Sequence, residues 1–457
     1  MFESKYSGPD DHLAGDRRLI DGETLWPAPT ATGSLHARVA LPGSKSLVNR
    51  ELVLAALASG PSRLRAPLHS RDSQNMVDAL RALGARIDEV DASGEFGADF
   101  LVSPGELIGS TTVECGLAGT VMRFVPPVAA LALGPTTFDA DDAARGRPMA
   151  GVLNALRELG VDIDPGARAL PFTVHGRGSV DGGEIGVDAS ASSQFVSALL
   201  LSAARFDNGI ELRHTGEKLP SIPHIDMTIA ALRERGVDAS SPQPGLWRVA
   251  PGEITGRDVA IEPDLSNAAP FLAAAIVAGG SVTVPNWPTE TTQVGADLAH
   301  LLPEFGARVV HSAGGDLTVT AGDSIRAVDL DLSHAGELAP TLIALAAFAD
   351  GPSRFRGIGH IRHHETDRLG ALAAELTNLG GNVTEHDDGV TVRPQPLHGG
   401  AWRTYNDHRT ATAGALVGIA VPGVEIVDIA TTAKTLPQFP ELWAGLVASG
   451  TMGNPGA

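Results

Sequence analysis

Lysine and cysteine are both scarce in this chain of 457 residues, which has four lysines and a single cysteine, Cys115. One cysteine cannot form an intramolecular disulfide, which excludes a fold held together by disulfides. We interpret Cys115 as a small buried residue. Basic residues are outnumbered by acidic ones, 34 to 54, for a formal net charge of −20. Because nucleic acids and anionic membranes bind surfaces with excess positive charge, we expect neither as a partner.

Long hydrophobic segments are also missing. The longest apolar runs, at 268–280 and 339–349, are shorter than the roughly 20 residues that cross a bilayer as a helix. We interpret both runs as buried core helices and expect a cytoplasmic protein. With 43% apolar residues, the chain can bury a large core, and its length favours two domains. The polar segment 1–32 is expected to be a poorly ordered N-terminal extension.

A short motif recurs along the chain. The copies are LRALGARI (80–87), LRELGVDI (156–163), LRERGVD (232–238), LPEFGARV (302–309) and LTNLGGNV (376–383). Each is typical of a helix that ends at a left-handed glycine and is followed by a strand. The segment LVASG at 446–450 resembles a truncated sixth copy. Six such units predict two bundles of three α/β units.

The segment LPGSKSLVNR at 41–50 places Lys45 and Arg50 at the start of an apolar helical run. Free N–H groups and the positive end of the helix dipole favour a phosphate or carboxylate at such a position. The segment is not a nucleotide P-loop, because it lacks the Gly-Lys-Ser order and the upstream glycine. It therefore predicts an anion site of another kind.

Further segments combine glycine, hydroxyl and basic residues at predicted loop-to-helix junctions. They are GLAGTVMR (116–123), RGRPM (145–149), SASSQF (190–195), HETDRL (364–369), YNDHRT (405–410) and TTAKTLP (431–437). A single segment of this type is more often a solvated helix start held by ion pairs. Their recurrence in both halves of a lysine-poor chain favours one shared site for anions.

A metal site is the alternative for the histidine-rich part of the second half. The potential ligands are His360, His363, His364, Glu365, Asp367 and His408. Their spacing contains no His-Glu-x-x-His motif, and the arginines at 362, 368 and 409 would repel a cation. We therefore predict no metal and no cofactor.

Taken together, the motifs resemble those of the EPSP synthase family of enolpyruvyl transferases, in order, over residues 36–448. The matching segments are LPGSKS (41–46), GT (119–120) with Arg123, RP (147–148), SSQ (192–194), ETDRL (365–369), NDHR (406–409) and TAKT (432–435). The resemblance implies an α/β fold with two domains, each an inside-out α/β barrel, or prism, of three βαβαββ repeats. Residues 44–262 would form an inserted domain on the shikimate-phosphate side. Residues 33–43 and 263–457 would form a discontinuous domain whose basic loops face phosphoenolpyruvate.

The resemblance further implies an enzyme of aromatic amino-acid biosynthesis. It would transfer the enolpyruvyl group of phosphoenolpyruvate to the 5-hydroxyl of shikimate 3-phosphate and release phosphate. Two phosphates and two carboxylates would then converge, and only a dense positive cleft offsets their repulsion. We expect a monomer whose partners are these two small molecules.

The resemblance also assigns individual site residues. Those implied to hold shikimate 3-phosphate are Lys45, Ser46, Arg50, Ser192, Ser193, Gln194, Ser221, Glu337 and His364. Those implied to hold phosphoenolpyruvate are Lys45, Gly119, Thr120, Arg147, Gln194, Arg368, Arg409 and Lys434. The implied catalytic residues are Glu337 near the 5-hydroxyl, Glu365 as proton donor to the methylene carbon, Lys45 and His408.

The chain departs from the family's usual pattern at several positions. Many members have Asp, Lys, Asn, Tyr and Asn where this chain has Glu337, His364, His360, His224 and Leu117. A histidine is only partly charged near neutrality, so we expect the contacts of the usual lysine to be replaced or weakened at His364. Phe124 replaces a proline beside the phosphoenolpyruvate loop, a change that could alter sensitivity to glyphosate, an anionic competitor of this substrate in the family.

Two other functions are alternatives for this fold. A UDP-N-acetylglucosamine enolpyruvyl transferase resembles this family in fold but has a cysteine before the Arg-Pro pair, and residues 139–147 contain none. A non-catalytic anion-binding protein of the same fold would have lost carboxylates or arginines, whereas this chain keeps them.

Overall fold

The computed structural model describes residues 19–20, 22–219 and 221–450. The strands are β1 (Leu19–Ile20), β2 (Glu23–Pro27), β3 (Leu35–Arg38), β4 (Ser62–Arg65), β5 (Arg86–Val90), β6 (Asp99–Ser103), β7 (Thr111–Glu114), β8 (Leu133–Asp139), β9 (Asp162–Ile163), β10 (Phe172–Arg177), β11 (Gly183–Val187), β12 (Ile210–His214), β13 (Ala239–Gln243), β14 (Leu246–Val249), β15 (Asp258–Ala260), β16 (Gly280–Val284), β17 (Arg308–His311), β18 (Leu317–Thr320), β19 (Asp329–Asp331), β20 (Ser353–Arg356), β21 (Asn382–His386), β22 (Gly389–Arg393), β23 (Gly400–Arg403) and β24 (Val424–Val427).

The helices alternate with these strands. They are α1 (Lys45–Ala56), α2 (Arg71–Ala82), α3 (Gly119–Ala130), α4 (Asp142–Arg145), α5 (Ala150–Glu158), α6 (Gln194–Ala203), α7 (Ile222–Glu234), α8 (Leu265–Ala278), α9 (Leu298–Glu304), α10 (Ala339–Ala346), α11 (Arg368–Asn378), α12 (His408–Gly418) and α13 (Phe439–Ala448). Short 3₁₀ helices cover Val294–Asp297, Gly359–His363 and Ile429–Lys434. No helix in the described ranges is both long and apolar enough to span a membrane.

Within the described residues there are six sheets, which all have four strands and the same topology. Their orders are β15-β4-β6-β5, β7-β8-β10-β9, β11-β12-β14-β13, β17-β18-β16-β3, β19-β20-β22-β21 and β1-β2-β24-β23. In each sheet two neighbouring strands are parallel, and the other two continue the sheet in antiparallel pairing, as in β7, β8, β10 and β9. A parallel pair needs a crossover helix, whereas an antiparallel pair needs only a short turn. The predicted βαβαββ repeat is confirmed.

Five glycines mark the predicted helix-to-strand joints. Their φ angles are +105° at Gly84, +84° at Gly160, +79° at Gly236, +93° at Gly306 and +95° at Gly380. Each follows a helix and precedes the first of the two antiparallel strands of its repeat. Glycine alone adopts this backbone without strain, which explains the recurring residue.

The N-terminal extension differs in part from the expectation. Residues 1–18 and 21 of the segment expected to be poorly ordered lie outside the described residues, but Glu23–Pro27 is a strand that pairs antiparallel with β24. Trp26 packs against the hydrophobic core. This strand and β1 take the place that the two antiparallel strands occupy in the other repeats. The expectation of a poorly ordered extension was therefore wrong for Glu23–Pro27, because an otherwise open edge of β24 offers its backbone groups a partner.

The buried hydrophobic residues form two separate cores. One contains residues between 48 and 261, and the other contains residues between 28 and 41 and between 265 and 447. The apolar helices α8 and α10 lie in the second core, as predicted. We propose on this basis the domain division stated above, 44–262 against 33–43 with 263–457.

The two segments that connect the cores lie side by side. Ser44 N donates to Glu262 O at 2.8 Å, and Asp264 N donates to Pro42 O at 2.9 Å. A Cβ atom at Gly43 would lie 2.5 Å from Ala66 O, so only glycine fits at this crossing. The crossing fixes the start of α1 next to the start of α8.

Candidate active site

A cleft between the two lobes collects the N-terminal ends of helices from both. Lining residues come from the first turns of α1, α3, α6 and α7 in one lobe and of α8, α11 and α12 in the other. Every site residue predicted from the sequence lines this cleft except Lys434, whose Nζ lies 2.8 Å from the lining residue Glu365. Because helix N-termini favour anions, the backbone itself contributes to binding negative charge.

Arg50 is a buried cation in the wall of the first lobe. Its guanidinium donates to Thr228 Oγ1 at 2.8 Å, His224 O at 2.8 Å and Ser46 O at 2.9 Å. These acceptors are neutral, and burial lowers the pKa of Arg50 to about 9. A guanidinium that is desolvated but still charged at neutral pH gains strongly from an anionic ligand.

Arg123 and Arg147 form a second positive wall. Arg123 Nη1 donates to Gln194 Oε1 at 2.7 Å, and Arg147 Nη1 donates to Leu117 O at 2.7 Å. Burial, and then the nearby charge of Arg147, lowers the pKa of Arg123 to about 10. Because both arginines bond neutral oxygens here, their charges remain available for a ligand. Arg123 lies in a motif that the sequence identified, but it was not among the predicted binding residues.

Lys45 is held by two carboxylates that the sequence did not reveal. Its backbone N donates to Asp264 Oδ2 at 3.1 Å, and its Nζ lies 3.6 Å from Asp72 Oδ2. Asp264 also caps α8 through Asn267 N at 2.9 Å, so it joins the helix starts of both lobes. Asp72 Oδ1 is buried and lacks a hydrogen-bond partner among the described residues. Both aspartates occupy helix-start positions, where a sequence indicates only a cap.

Arg368 is fixed by a buried ion pair. Its Nε donates to Asp407 Oδ2 at 2.7 Å and its Nη2 to Asp407 Oδ1 at 3.3 Å. Burial opposes the charge, but the carboxylates of Asp407 and Glu365 outweigh it and raise the pKa of Arg368. Asp407 also accepts from Arg409 N at 2.8 Å, so one carboxylate orients two arginines.

Glu365 is surrounded by three basic groups. Lys434 Nζ lies 2.8 Å from Oε1, His408 Nδ1 lies 2.9 Å from Oε2, and Arg368 Nη2 lies 3.6 Å from Oε2. Burial alone would raise the pKa of Glu365, but His408, Lys434 and Arg368 hold it well below its usual range. This carboxylate is therefore ionised at neutral pH.

His408 complements Glu365. Burial lowers the pKa of His408 to about 4, against the opposing charge of Glu365, so the imidazole is neutral near pH 7. Its Nδ1 faces a carboxylate and carries the ring proton. Its Nε2 is buried without a hydrogen-bond partner in the part of the chain that the structure describes.

Glu365, Asp407 and His408 also have the composition of a metal site, with one potential ligand atom each within 4.8 Å of one another. However, Lys434 and Arg368 already contact the oxygens of both carboxylates. A divalent ion would have to displace Lys434 and Arg368 or be repelled by them. These three residues therefore do not fit a metal site. The absence of a metal stays a prediction.

Glu337 is the second carboxylate in the cleft. Arg409 Nη2 donates to Oε2 at 2.9 Å, Ser266 Oγ donates to Oε1 at 2.8 Å, and His224 Nε2 of the other lobe lies 3.8 Å from Oε1. Burial would raise its pKa, but Arg409, His224 and Ser266 lower it to about 2. Glu337 is thus a charged hydrogen-bond acceptor held between the lobes. The role of Ser266 gave no sequence signal, because it lies in the first turn of the apolar helix α8.

Comparisons with known proteins agree with this architecture. Residues 29–443 match the family described as EPSP synthase (3-phosphoshikimate 1-carboxyvinyltransferase). A 3-phosphoshikimate 1-carboxyvinyltransferase of Kocuria rhizophila is 58% identical over 434 residues, which cover 93% of this chain and 97% of that protein.

Solved structures show the same fold at lower identity. An EPSP synthase from Acinetobacter baumannii superposes with a TM-score of 0.75 at 21% identity, covering 92% of this chain and 97% of that one. The enolpyruvyl transferase NikO from Streptomyces tendae gives a TM-score of 0.72 at 20% identity, covering 91% and 96%. With the family match over most of its length and a relative of high identity, the chain belongs to the EPSP synthase family.

Proposed function

We propose that this chain catalyses the 3-phosphoshikimate 1-carboxyvinyltransferase reaction. The enolpyruvyl group of phosphoenolpyruvate is transferred to the 5-hydroxyl of shikimate 3-phosphate, and phosphate is released. The observation that carries the proposal is that arginines and lysines of both lobes surround two ionised carboxylates, Glu337 and Glu365, in one cleft. We also propose a monomeric cytoplasmic enzyme without nucleic-acid or membrane partners.

In this proposal the sugar phosphate binds mainly to the first lobe. Its ligands are Lys45, Ser46, Arg50, Ser192, Ser193, Gln194 and Ser221, together with Glu337 and His364 from the second lobe. Arg50 supplies a desolvated positive charge, and the serines supply hydroxyl donors that suit a phosphate or a polyol.

Phosphoenolpyruvate binds between basic residues of the first lobe and basic residues of the second lobe. Its ligands are Lys45, Gly119, Thr120, Arg147, Gln194, Arg368, Arg409 and Lys434. Planar guanidinium groups bind carboxylate and phosphate oxygens with two parallel hydrogen bonds. The reacting carbon is thereby placed next to the 5-hydroxyl of the sugar phosphate.

The addition step requires a base and an acid. Glu337, charged at neutral pH, accepts the proton of the 5-hydroxyl as its oxygen attacks carbon 2 of phosphoenolpyruvate. Glu365 delivers a proton to carbon 3, so it must first acquire one. The proton source within reach is the Lys434 ammonium, whose Nζ lies 2.8 Å from Oε1, because His408 is neutral and its Nδ1–H only donates a hydrogen bond to Oε2 at 2.9 Å. Anionic substrate offsets the surrounding positive charge and raises the proton affinity of Glu365.

The elimination step reverses the proton transfers. Glu365 removes a proton from carbon 3 of the tetrahedral intermediate, the carbon–carbon double bond forms again, and the bond from carbon 2 to the phosphate oxygen breaks. The leaving phosphate takes up the proton that Glu337 accepted from the 5-hydroxyl, and it leaves toward the arginines and lysines of the cleft, whose charge stabilises it.

A phosphate-release assay tests this function. Release should require phosphoenolpyruvate and shikimate 3-phosphate together, and UDP-N-acetylglucosamine should not replace the sugar phosphate. The opposite preference would overturn the proposal. The UDP-sugar reaction is disfavoured here because Cys115 is fully buried and burial, with Glu114 and Asp139, raises its pKa to about 12, which leaves no reactive thiol.

A further inference from the structure

Two consecutive residues directly before the segment 407–409 have left-handed backbones. The φ angle is +56° at both Tyr405 and Asn406, and Asp407 N donates to Thr404 O at 3.0 Å to close the turn. Asparagine tolerates this conformation, but a bulky residue such as tyrosine is strained in it. In the part of the chain that the structure describes, no other two neighbours that are not glycine share positive φ angles. Strain of this kind persists only where surrounding contacts hold the backbone in place.

The contact that holds this turn is a hydrogen bond to α11. Tyr405 Oη donates to Glu375 Oε1 at 2.6 Å, and Arg403 N donates to Glu375 Oε2 at 3.0 Å. Glu375 is a carboxylate with only 1% of its surface exposed, and it takes no part in the proposed mechanism. Burial, and then the hydrogen bond to Glu375, raises the pKa of Tyr405 to about 12, so the hydroxyl remains a donor. Because Tyr405 is 38% exposed, packing of its ring does not explain why a tyrosine stands at a strained position.

Helix α11 thus contacts the turn at two places. Near the start of the helix, Arg368 donates to Asp407, which ends the turn. Seven residues later, Glu375 accepts from Tyr405. Side chains seven residues apart lie on the same face of a helix, about 10 Å apart along its axis. Two contacts on one face fix both the position and the direction of the turn, whereas a single contact would let it pivot.

We propose that Tyr405 and Glu375 are positioning residues, whose hydrogen bond holds the strained turn against α11 and thereby places His408 and Arg409 in the cleft. The inference rests on the proposed function. His408 and Arg409 directly follow the turn, and each contacts a carboxylate of the cleft at 2.9 Å. If residue 405 relaxed to a negative φ, both side chains would move, and displacements of about 1 Å already lower turnover strongly.

Substitutions of Tyr405 distinguish this role from simple packing. Tyr405→Phe removes only the hydroxyl and leaves a bulky residue at a strained position, so we expect kcat/KM for phosphoenolpyruvate to fall by about 10- to 100-fold. Tyr405→Asn also loses the hydroxyl, but asparagine adopts a left-handed backbone readily, so kcat/KM should stay within about fivefold of the wild type. A tyrosine that only packs would give the opposite order, because phenylalanine keeps the ring and asparagine does not.

A double-mutant cycle tests the pairing with Glu375. Glu375→Leu should lower kcat/KM at least as much as Tyr405→Phe, and the double variant should lose little more than Glu375→Leu, because both changes remove the same hydrogen bond. Asp91→Phe is the matched control, since it puts an aromatic residue at an exposed position with a φ of +53° outside the cleft, and it should leave activity unchanged. Independent, multiplying losses in the double variant would contradict the pairing.

Crystal structures of the variants give a readout that does not depend on activity. The separation of 2.9 Å between His408 Nδ1 and Glu365 Oε2 should lengthen in Tyr405→Phe and be kept in Tyr405→Asn. Activity of Tyr405→Phe equal to or above that of Tyr405→Asn, or an unmoved His408 in an impaired Tyr405→Phe, would contradict this inference alone. A wild-type chain that releases no phosphate with both substrates would instead contradict the proposed function.

Discussion

His408 Nδ1 lies 2.9 Å from Glu365 Oε2, and this distance makes the neutral histidine a hydrogen-bond donor to the carboxylate. Lys434 approaches the other oxygen of the same carboxylate at 2.8 Å. Glu365 is thus ionised but in contact with two groups that carry protons. A residue in this position can take up a proton when an anion offsets the surrounding charge, and can return it afterwards.

The first prediction concerns Glu365. Glu365→Gln keeps the size of the side chain but cannot exchange a proton with carbon 3, so we expect kcat to fall by about 10²- to 10⁴-fold. Affinity for shikimate 3-phosphate, measured by calorimetry, should change little, because Arg50 and the serines of the first lobe remain. Glu95→Gln, on an exposed loop, serves as the control. Near-normal turnover of Glu365→Gln would remove its proposed role.

The second prediction concerns Glu337. Glu337→Gln should lower kcat by about 10²- to 10⁴-fold, because the amide cannot accept the 5-hydroxyl proton. Glu337→Asp, which carries the residue usual in the family, should retain much more activity. Because the pKa of Glu337 is about 2, loss of activity between pH 8 and pH 5 should not come from its protonation. Equal kcat values for the Gln and Asp variants would contradict this assignment.

The third prediction is a pH dependence of stability that comes from His408. Its pKa is lowered from 6.5 to about 4 in the folded protein, so the unfolded chain binds more protons as pH falls. The contribution of neutral His408 to the free energy of unfolding is therefore complete above pH 6.5 and is lost progressively toward pH 4. Between pH 7.5 and pH 5 the loss is about 2 kcal/mol.

Urea unfolding at pH 7.5 and pH 5 measures this loss of unfolding free energy. His408→Asn, whose amide can still donate to Glu365, should lose less stability than the wild type over the same interval. If the free energy of unfolding of His408→Asn falls between pH 7.5 and pH 5 by as much as that of the wild type, His408 is not the source of the pH dependence.

The fourth prediction concerns Gly336, next to Glu337. A Cβ atom there would lie 2.6 Å from His360 Nε2 and 2.9 Å from its Cε1, so an alanine must displace the His360 ring or the backbone that carries Glu337. We expect Gly336→Ala to lower stability by about 1–3 kcal/mol and to reduce kcat.

The double variant Gly336→Ala/His360→Ala should recover part of both losses, since it removes the clashing ring. Gly252→Ala provides the control, because a Cβ at that position meets no atom within 4 Å. If the double variant is as unstable and as slow as Gly336→Ala, the clash with His360 is not the cause of the two losses.

Local patterns in the sequence predicted the repeats well. The five glycines are visible because a left-handed joint requires the same residue each time, whatever surrounds it. The motifs around Lys45, Arg147, Arg368 and Arg409 likewise stood out as basic residues at helix starts. These features depend on residues that are close in the chain, so they can be recognised in the sequence.

Other features depended on partners far along the chain. Glu23–Pro27 becomes a strand only because β24, about 400 residues later, leaves an edge to pair with. The local sequence of Asp72 and Asp264 indicates only a helix cap, and that of Ser266 indicates nothing. Each gains its role from a contact with a site residue on another segment of the chain.

The sequence by itself determined the six-fold repeat, the family and the set of basic helix starts, because each follows from residue types at short spacing. Only the tertiary structure decided which charges neutralise one another. Protonation of Glu365 and His408 depends on distances of about 3 Å between residues that are far apart in the chain and on their removal from water. The electrostatic energies that set these protonation states vary steeply with the separation and burial of the groups, and both are properties of the folded chain.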